Sequence, residues 1–341
     1  MKYFTGISAD SVWQKAAQEL ISNHDYRHDG NNGETLEILP CVLRVTNPRL
    51  RWIQSRRPPY NPAFGLVEFI WILAGKDESL VPKFWNPALY KYSGNDEHFY
   101  GAYGYRLRKH LGFDQIKRAF EVLKSFPETR QAVLQIWDSN NDLPYENGKP
   151  RSKDIPCNLM SLLKIRDNKL HWTQIMRSND IMLGLPYNFI QFTMLQEVMA
   201  GWLECDIGEY FHLSDSLHVY TDDLKRYEVD LNNKYVGKVA PRFDMSFEQT
   251  EQEIALIYAD LEKIAKGEVT SKDELRSMFS KDTSNNQLRC KYLQDIVVII
   301  GADAARRLNH KGLADEFIDS CTDEGLQLAA KQWFQHKENS K

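Results

Sequence analysis

Apolar positions recur with two periods along this chain, and the alternation between them lays out its elements. Over residues 9–22, Val12, Ala16, Leu20 and Ile21 keep helical spacing behind Ser11, a residue suited to capping. Residues 23–33 are polar and rich in Asn and Gly, which predicts a loop. Residues 36–39 and 42–45 alternate as strands and stop at Asn47-Pro48. A helix is predicted over 62–75, opened by Pro62 and ended at Gly75. Residues 76–113 carry Trp85, Tyr90, Tyr92, Tyr100, Tyr103 and Tyr105 among glycines, an irregular segment of the kind that holds binding residues. A helix over 115–125, a strand over 132–137 and an exposed loop over 138–153 follow. The pattern then gives strands over 157–165 and 170–176 around a turn at Asp167-Asn168. Residues 187–202 are apolar at helical period on all sides, hence a buried helix. A strand over 209–218 and a helix over 220–230 come next. After Pro241 the character changes to three amphipathic helices, 246–266, 286–308 and 323–337. The expectation is an α+β body over residues 1–244 with a helical C-terminal extension over 245–341.

Composition narrows the class. Of 341 residues, 42% are hydrophobic and 26% charged, so the chain can bury a large core and is not of disordered type. A net charge of −4 argues against a broad nucleic-acid surface, though not against a local basic pocket. No apolar run approaches a membrane span, and the start, MKYFTGISAD, lacks the features of a secretory signal. The cysteines Cys41, Cys157, Cys205, Cys290 and Cys321 are scattered without a C-x-x-C pair, which suits free thiols in a reducing compartment. These features lead to the expectation of a soluble cytoplasmic protein without a metal.

Candidate chemistry gathers in a few places. Glu68 lies inside the apolar run from Phe64 to Leu73, where a carboxylate is exposed, paired or tuned for chemistry. Arg49, Arg51, Arg56 and Arg57 precede Pro58-Pro59, either as a solvated basic loop or as part of an anion site. Most of the reactive groups fall between Asp154 and Tyr220. Pro156-Cys157-Asn158 is followed by Arg177-Ser178-Asn179-Asp180, then Leu183-Gly184-Leu185-Pro186-Tyr187-Asn188, then His218-Val219-Tyr220. A thiol, a guanidinium, an amide, an imidazole and a phenol are the groups needed to hold a small anionic heterocycle and attack it.

That ordered set resembles the thymidylate synthase family, which includes the pyrimidine nucleotide hydroxymethylases. The resemblance covers residues 30–235 and is strongest over 157–220; upstream, Glu68, Tyr103 and Arg130 fall on family positions. It implies a thymidylate synthase-like mixed sheet flanked by helices, and a reaction at C5 of a pyrimidine nucleotide with 5,10-methylenetetrahydrofolate as cosubstrate and no metal. In that reaction Cys157 adds to C6, and Arg177 lowers the thiol pKa while binding phosphate with Ser178. Asn188 reads the base: its amide donates to O4 and accepts from N3–H, which suits uracil, where cytosine hydroxymethylases place an aspartate. An alternative for Asn188 is a helix-start residue satisfying local backbone. The resemblance further gives Glu68 the water and proton traffic at O4, and Tyr103 the C5 proton. It gives His218 and Tyr220 the sugar hydroxyl, Asp180 the pterin and Trp85 the shielding of the folate. It also implies a homodimer in which Arg130 reaches the neighbouring site.

Several positions depart from the family pattern. The first phosphate arginine is absent from the loop Gly30-Asn31-Asn32-Gly33, with Arg27 nearby, and the partner-facing arginine pair is Arg130-Gln131. Asn158 stands where a histidine usually follows the nucleophile. The short apolar tail that closes over folate is replaced by about a hundred residues of helical pattern. Tail closure keeps water from the one-carbon intermediate. The expectation is therefore methylation of dUMP to dTMP, with hydroxymethylation as the alternative. A nucleotide-binding homologue without chemistry is a third reading.

Overall fold

The computed structural model describes residues 1–30, 33–93, 96–238, 241–280 and 290–340. In chain order the first half runs β1 (Lys2–Gly6), α1 (Ala9–Asn23), β2 (Tyr26–Gly30), β3 (Gly33–Ile38), β4 (Cys41–Val45), β5 (Arg56–Arg57), α2 (Pro62–Leu73), α3 (Leu80–Trp85), α4 (Tyr90–Ser93), α5 (Tyr103–Tyr105) and α6 (Gln115–Ser125). It continues through β6 (Val133–Gln135), α7 (Ser139–Asp142), β7 (Asn158–Arg166), β8 (Lys169–Met176), β9 (Asn179–Asp180), α8 (Leu185–Trp202), β10 (Asp206–Ser214), β11 (Leu217–Tyr220) and β12 (Glu228–Val229). The extension is α9 (Phe247–Ala265), α10 (Lys272–Phe279), α11 (Lys291–Arg307), α12 (Lys311–Ser320) and α13 (Glu324–Asn339).

The framework is a mixed six-stranded sheet of order β1-β4-β10-β8-β7-β6, as the resemblance implied. A second sheet, β2-β3-β11-β9, stands beside it. Alternation along β7, β8 and β10 buries one face, where Leu163, Trp172 and Tyr210 pack. Helix α8 covers that face. Its apolar residues point in every direction because it is sandwiched, with the sheet on one side and α2 on the other. Gly65 permits the second contact: a Cβ there would sit 2.7 Å from Ile190 Cδ1. The turn at Asp167-Asn168 has φ of 48° and 56°, the left-handed pair that closes a two-residue hairpin.

The extension continues the same core. Helices α9, α11 and α13 pack on α2, and one apolar cluster runs from the sheet through α8 and α2 into the extension. Buried polar groups fasten it. Arg51 pairs with Glu197 of α8 and donates to Tyr292 Oη of α11 at 2.9 Å. Asn61, which caps α2, donates to Asp303 Oδ2 at 3.3 Å, and Trp52 Nε1 donates to Asp323 Oδ2 at 3.3 Å.

Five expectations need correction. Residues 23–33 are not a loop but the β2–β3 hairpin, with Asn31 and Asn32 outside the described residues. β2 is the exposed edge strand of its sheet, so burial imposes no alternation to read there. Residues 209–218 break at Asp215-Ser216 into strands of two different sheets. Residues 220–230 form a short 3₁₀ turn at Asp223–Lys225 and then β12, which pairs with β5, instead of a helix. The extension has α10 and α12 in addition to the three expected helices, and residues 286–289 lie outside the described residues. The loop over 138–153 also contains α7, whose Asp142 accepts from Arg106 through both carboxylate oxygens, at 2.8 and 2.9 Å.

Candidate active site

Cys157 is the last residue before β7, and Arg177 is the first after β8. Their strands are antiparallel, so the two face each other, and Arg177 N–H donates to Cys157 O at 3.0 Å. The guanidinium lies over the Trp137 ring at 5.6 Å. It donates from Nε to Pro156 O at 3.0 Å and from Nη2 to Ile155 O at 3.3 Å. Nη2 also lies 3.9 Å from Cys157 Sγ. Arg177 therefore holds the loop that carries the thiol as well as the thiol itself. Burial pushes the Cys157 thiol above its ordinary value; Arg177 pulls it down, and Asp154 and Asp180 push it up again. The guanidinium acts in the expected direction, but burial outweighs it.

Helices α2 and α8 bring the next pair together. Asn188 Nδ2 donates to Gln191 Oε1 at 3.2 Å, and Gln191 Nε2 donates to Glu68 Oε2 at 2.9 Å. Glu68 does not sit on a solvated helix face: burial raises its pKa to about 8, with Gln191 working against that rise. Gln191 was not singled out from the sequence, although its spacing of three from Asn188 puts both on one face of α8.

Tyr103 sits on the short α5 turn, pressed onto the end of α2. A Cβ at Gly104 would lie 2.4 Å from Ile72 O, so this approach requires glycine. The phenol is held well above its ordinary value, first by burial and then by the charge of Cys157; Asn158 opposes the shift, while Asp154 and Glu68 add to it. Cys157, Glu68 and Tyr103 thus share one neighbourhood.

The second sheet delivers the remaining candidates. β11 pairs with β9 so that His218 is level with Asp180. Ser178 Oγ lies 3.5 Å from His218 Nδ1, and the His218 and Tyr220 rings meet edge to face at 5.4 Å. Burial lowers the His218 pKa, which keeps the ring neutral near pH 7. Asp180 Oδ1 accepts from the N–H groups of Met182 and Leu183, both at 2.8 Å, and burial lifts its pKa to about 6. Both bonds use the same oxygen. Trp85, at the end of α3, is 1% exposed, and its Nε1 has no hydrogen-bond partner among the described residues.

Other arginines are placed differently. Arg130 is exposed near the start of β6, level with the far end of β7, about 25 Å along the strand from Cys157. Arg27 gives its guanidinium to Glu34 in two bonds of 2.7 Å on the outer hairpin. The cluster before Pro58-Pro59 is neither a solvated loop nor an anion site: Arg49 and Arg51 pair with Glu197, and Arg57 pairs with Asp230. Arg56 donates to Met182 O at 2.7 Å and stacks 4.2 Å from the Tyr227 ring centre. Among the described residues, no group of three or more His, Cys, Asp or Glu could hold a metal ion, and no helix is long and apolar enough to cross a membrane.

Comparison with known proteins agrees with this geometry. Residues 13–266 match the family model described as thymidylate synthase. The deoxyuridylate hydroxymethyltransferase of Bacillus phage SP01 is 35% identical over 198 residues, 55% of this chain and 51% of that protein. The protein of the same name from Pseudomonas phage M6 is 32% identical over 249 residues, 70% of this chain and 65% of that protein. The chain thus spans about half of the first relative and just under two thirds of the second. The thermostable thymidylate synthase A from Bacillus subtilis shares the fold, with a TM-score of 0.51 at 21% identity over 64% of this chain and 82% of its own. With the family model matched over most of its length, the chain belongs to the thymidylate synthase family.

Proposed function

We propose that this protein transfers a one-carbon unit from methylenetetrahydrofolate to C5 of deoxyuridylate through a covalent Cys157 adduct, and that the product is the hydroxymethylated nucleotide. The Asn188–Gln191–Glu68 chain carries the reading. One Asn188 N–H is committed to Gln191, which leaves the other N–H and Oδ1 to face a ring that accepts at O4 and donates at N3, as uracil does. Glu68, with its pKa at about 8, keeps its proton at neutral pH and can support charge developing on O4 as the sulfur adds to C6. Attack needs the thiolate. Arg177, 3.9 Å from Sγ, stabilises that anion as the thiol gives up its proton. Tyr103, close enough to Cys157 to feel its charge, is assigned the C5 proton.

The folate supplies the one-carbon unit at the oxidation level of formaldehyde. Asp180 is the candidate for its pterin, whereas Trp85, 1% exposed with its Nε1 buried, presents no surface to it. Hydroxymethylation is favoured over methylation because the two phage relatives carry that name. Methylation to dTMP remains the second reading, supported by the family itself. Incubation with dUMP and methylenetetrahydrofolate separates them: tetrahydrofolate with a hydroxymethylated base is expected, and dihydrofolate with a methylated base contradicts this product.

We further propose a homodimer through the outer face of the six-stranded sheet. Two cross-strand rows lie there, Tyr3-Val42-Leu213-Ile175-Met160 and Thr5-Arg44-Phe211-Thr173-Leu162-Val133. The first row is wholly apolar and the second half so, and none of their residues is fully buried in the single chain. Arg130 at the sheet edge would then reach the neighbour's phosphate. Free thiols at all five cysteines suit a cytoplasmic setting.

A further inference from the structure

Beneath Cys157 runs a chain of buried hydrogen bonds whose direction is fixed at its far end. Asn158, Ser161, Trp172 and Gln174 occupy neighbouring rows on the inner face of β7 and β8, and all are buried. An indole N–H can only donate. Trp172 Nε1 donates to Gln174 Oε1 at 3.2 Å, and Ser161 Oγ donates to the same oxygen at 2.6 Å. The Gln174 amide is therefore committed: its oxygen accepts and its nitrogen must donate, which it does to Asn158 Oδ1 at 2.8 Å. That bond commits Asn158 in turn. Its oxygen is occupied, and its Nδ2, fully buried, has no hydrogen-bond partner among the described residues. A buried amide N–H left without an acceptor is costly. The Asn158 side chain lies within hydrogen-bonding reach of the Tyr103 phenol and favours its ionisation.

We propose that Asn158 is a positioning residue for the C5 step: its Nδ2 donates to the Tyr103 oxygen, and Trp172, Ser161 and Gln174 hold it in that sense. The proposal rests on the reaction proposed above. Tyr103 would then be held by its oxygen, with its own O–H and remaining lone pair turned toward the Cys157 side, where the C5 proton must leave. A histidine at this position would donate in one tautomer and accept in the other. An amide anchored at its oxygen donates at every pH, so the phenol is oriented the same way throughout.

Two readouts test this. Release of tritium from deoxyuridylate labelled at C5 requires the Tyr103 step. Covalent capture of 5-fluorodeoxyuridylate with methylenetetrahydrofolate requires addition at Cys157 but no loss of a C5 proton. Asn158→Leu, close in volume, is expected to slow tritium release about ten-fold through kcat, with nucleotide KM and covalent capture unchanged. Gln174→Met, which unties Asn158 without removing it, should show a smaller loss of the same kind. Asn158→His, which restores an N–H donor, should recover most of the rate. Thermal melts establish that each variant is folded. Tritium release at the parent rate in Asn158→Leu overturns the proposal, as does an equal loss of release and capture. A parent protein that captures no fluoronucleotide contradicts the reaction itself, a failure that this comparison keeps distinct.

Discussion

Burial and charge pull the Cys157 thiol in opposite directions, and the balance lies with burial. Arg177 is then the principal group favouring the thiolate, and removing it has a readable consequence. Arg177→Gln is expected to slow iodoacetamide alkylation of Cys157 at pH 8 about ten-fold; an unchanged rate would show that the guanidinium does not tune the sulfur. Glu68 gives a pH signature. A carboxyl whose pKa folding raises binds its proton more tightly in the folded state. Its stabilising share is full below the unfolded value of about 4.3 and is lost as pH climbs through about 8. Glu68→Gln should therefore raise Tm relative to the parent at pH 8.5, by a few degrees for about 1 kcal/mol, and remove the alkaline limb of kcat/KM near pH 8. An alkaline limb that persists in this variant assigns it to another group. At this scale the sequence was informative wherever a residue type carries its own chemistry. Cys157, Arg177, Asn188 and Glu68 stand out as candidates because they fall on the family's ordered motif, whereas Gln191 and Gln174 lie off it and are marked only by the hydrogen bonds they make in the fold. Arg51 and Arg56 misled for the related reason that a cation next to prolines reads alike whether it meets solvent or a buried carboxylate.

Elements with a strong period were legible to within a few residues. α2 and α8 are apolar because each is buried by others on several sides, and β7 and β8 alternate because only one face of their sheet is covered. Where burial imposes no period, the pattern is silent: β2 is an exposed edge strand, and residues 220–230 are held by Arg56 stacking on Tyr227 and by pairing with β5. The connection between α8 and α11 is a test at this scale. Arg51 and Glu197 are both almost wholly buried, so cutting one partner leaves a charge with less compensation. Arg51→Leu is expected to cost about 3 kcal/mol in urea unfolding, reduced to the extent that Arg49 keeps its bond to Glu197. A change within experimental error would mean that the extension is not fastened through this pair.

For the whole molecule, the resemblance implied the mixed sheet and the helices that flank it, but not how the extension is joined. That joint depends on single long-range pairs such as Asn61 with Asp303 and Trp52 with Asp323, which no local pattern announces. Because α9, α11 and α13 cover α2, a chain ended at residue 244 would expose an almost wholly apolar helix that carries Glu68. Such a chain is expected to aggregate or to lose its near-ultraviolet circular dichroism, not to remain folded as a slower enzyme. A soluble, cooperatively melting fragment would contradict that expectation. The account as a whole stands on Cys157 as the attacking atom, and its most direct test is intact-protein and peptide mass spectrometry after incubation with 5-fluorodeoxyuridylate and methylenetetrahydrofolate. The predicted result is a single adduct on the peptide containing Cys157, absent from Cys157→Ala. No adduct, or one carried by Cys41, Cys205, Cys290 or Cys321, would contradict it.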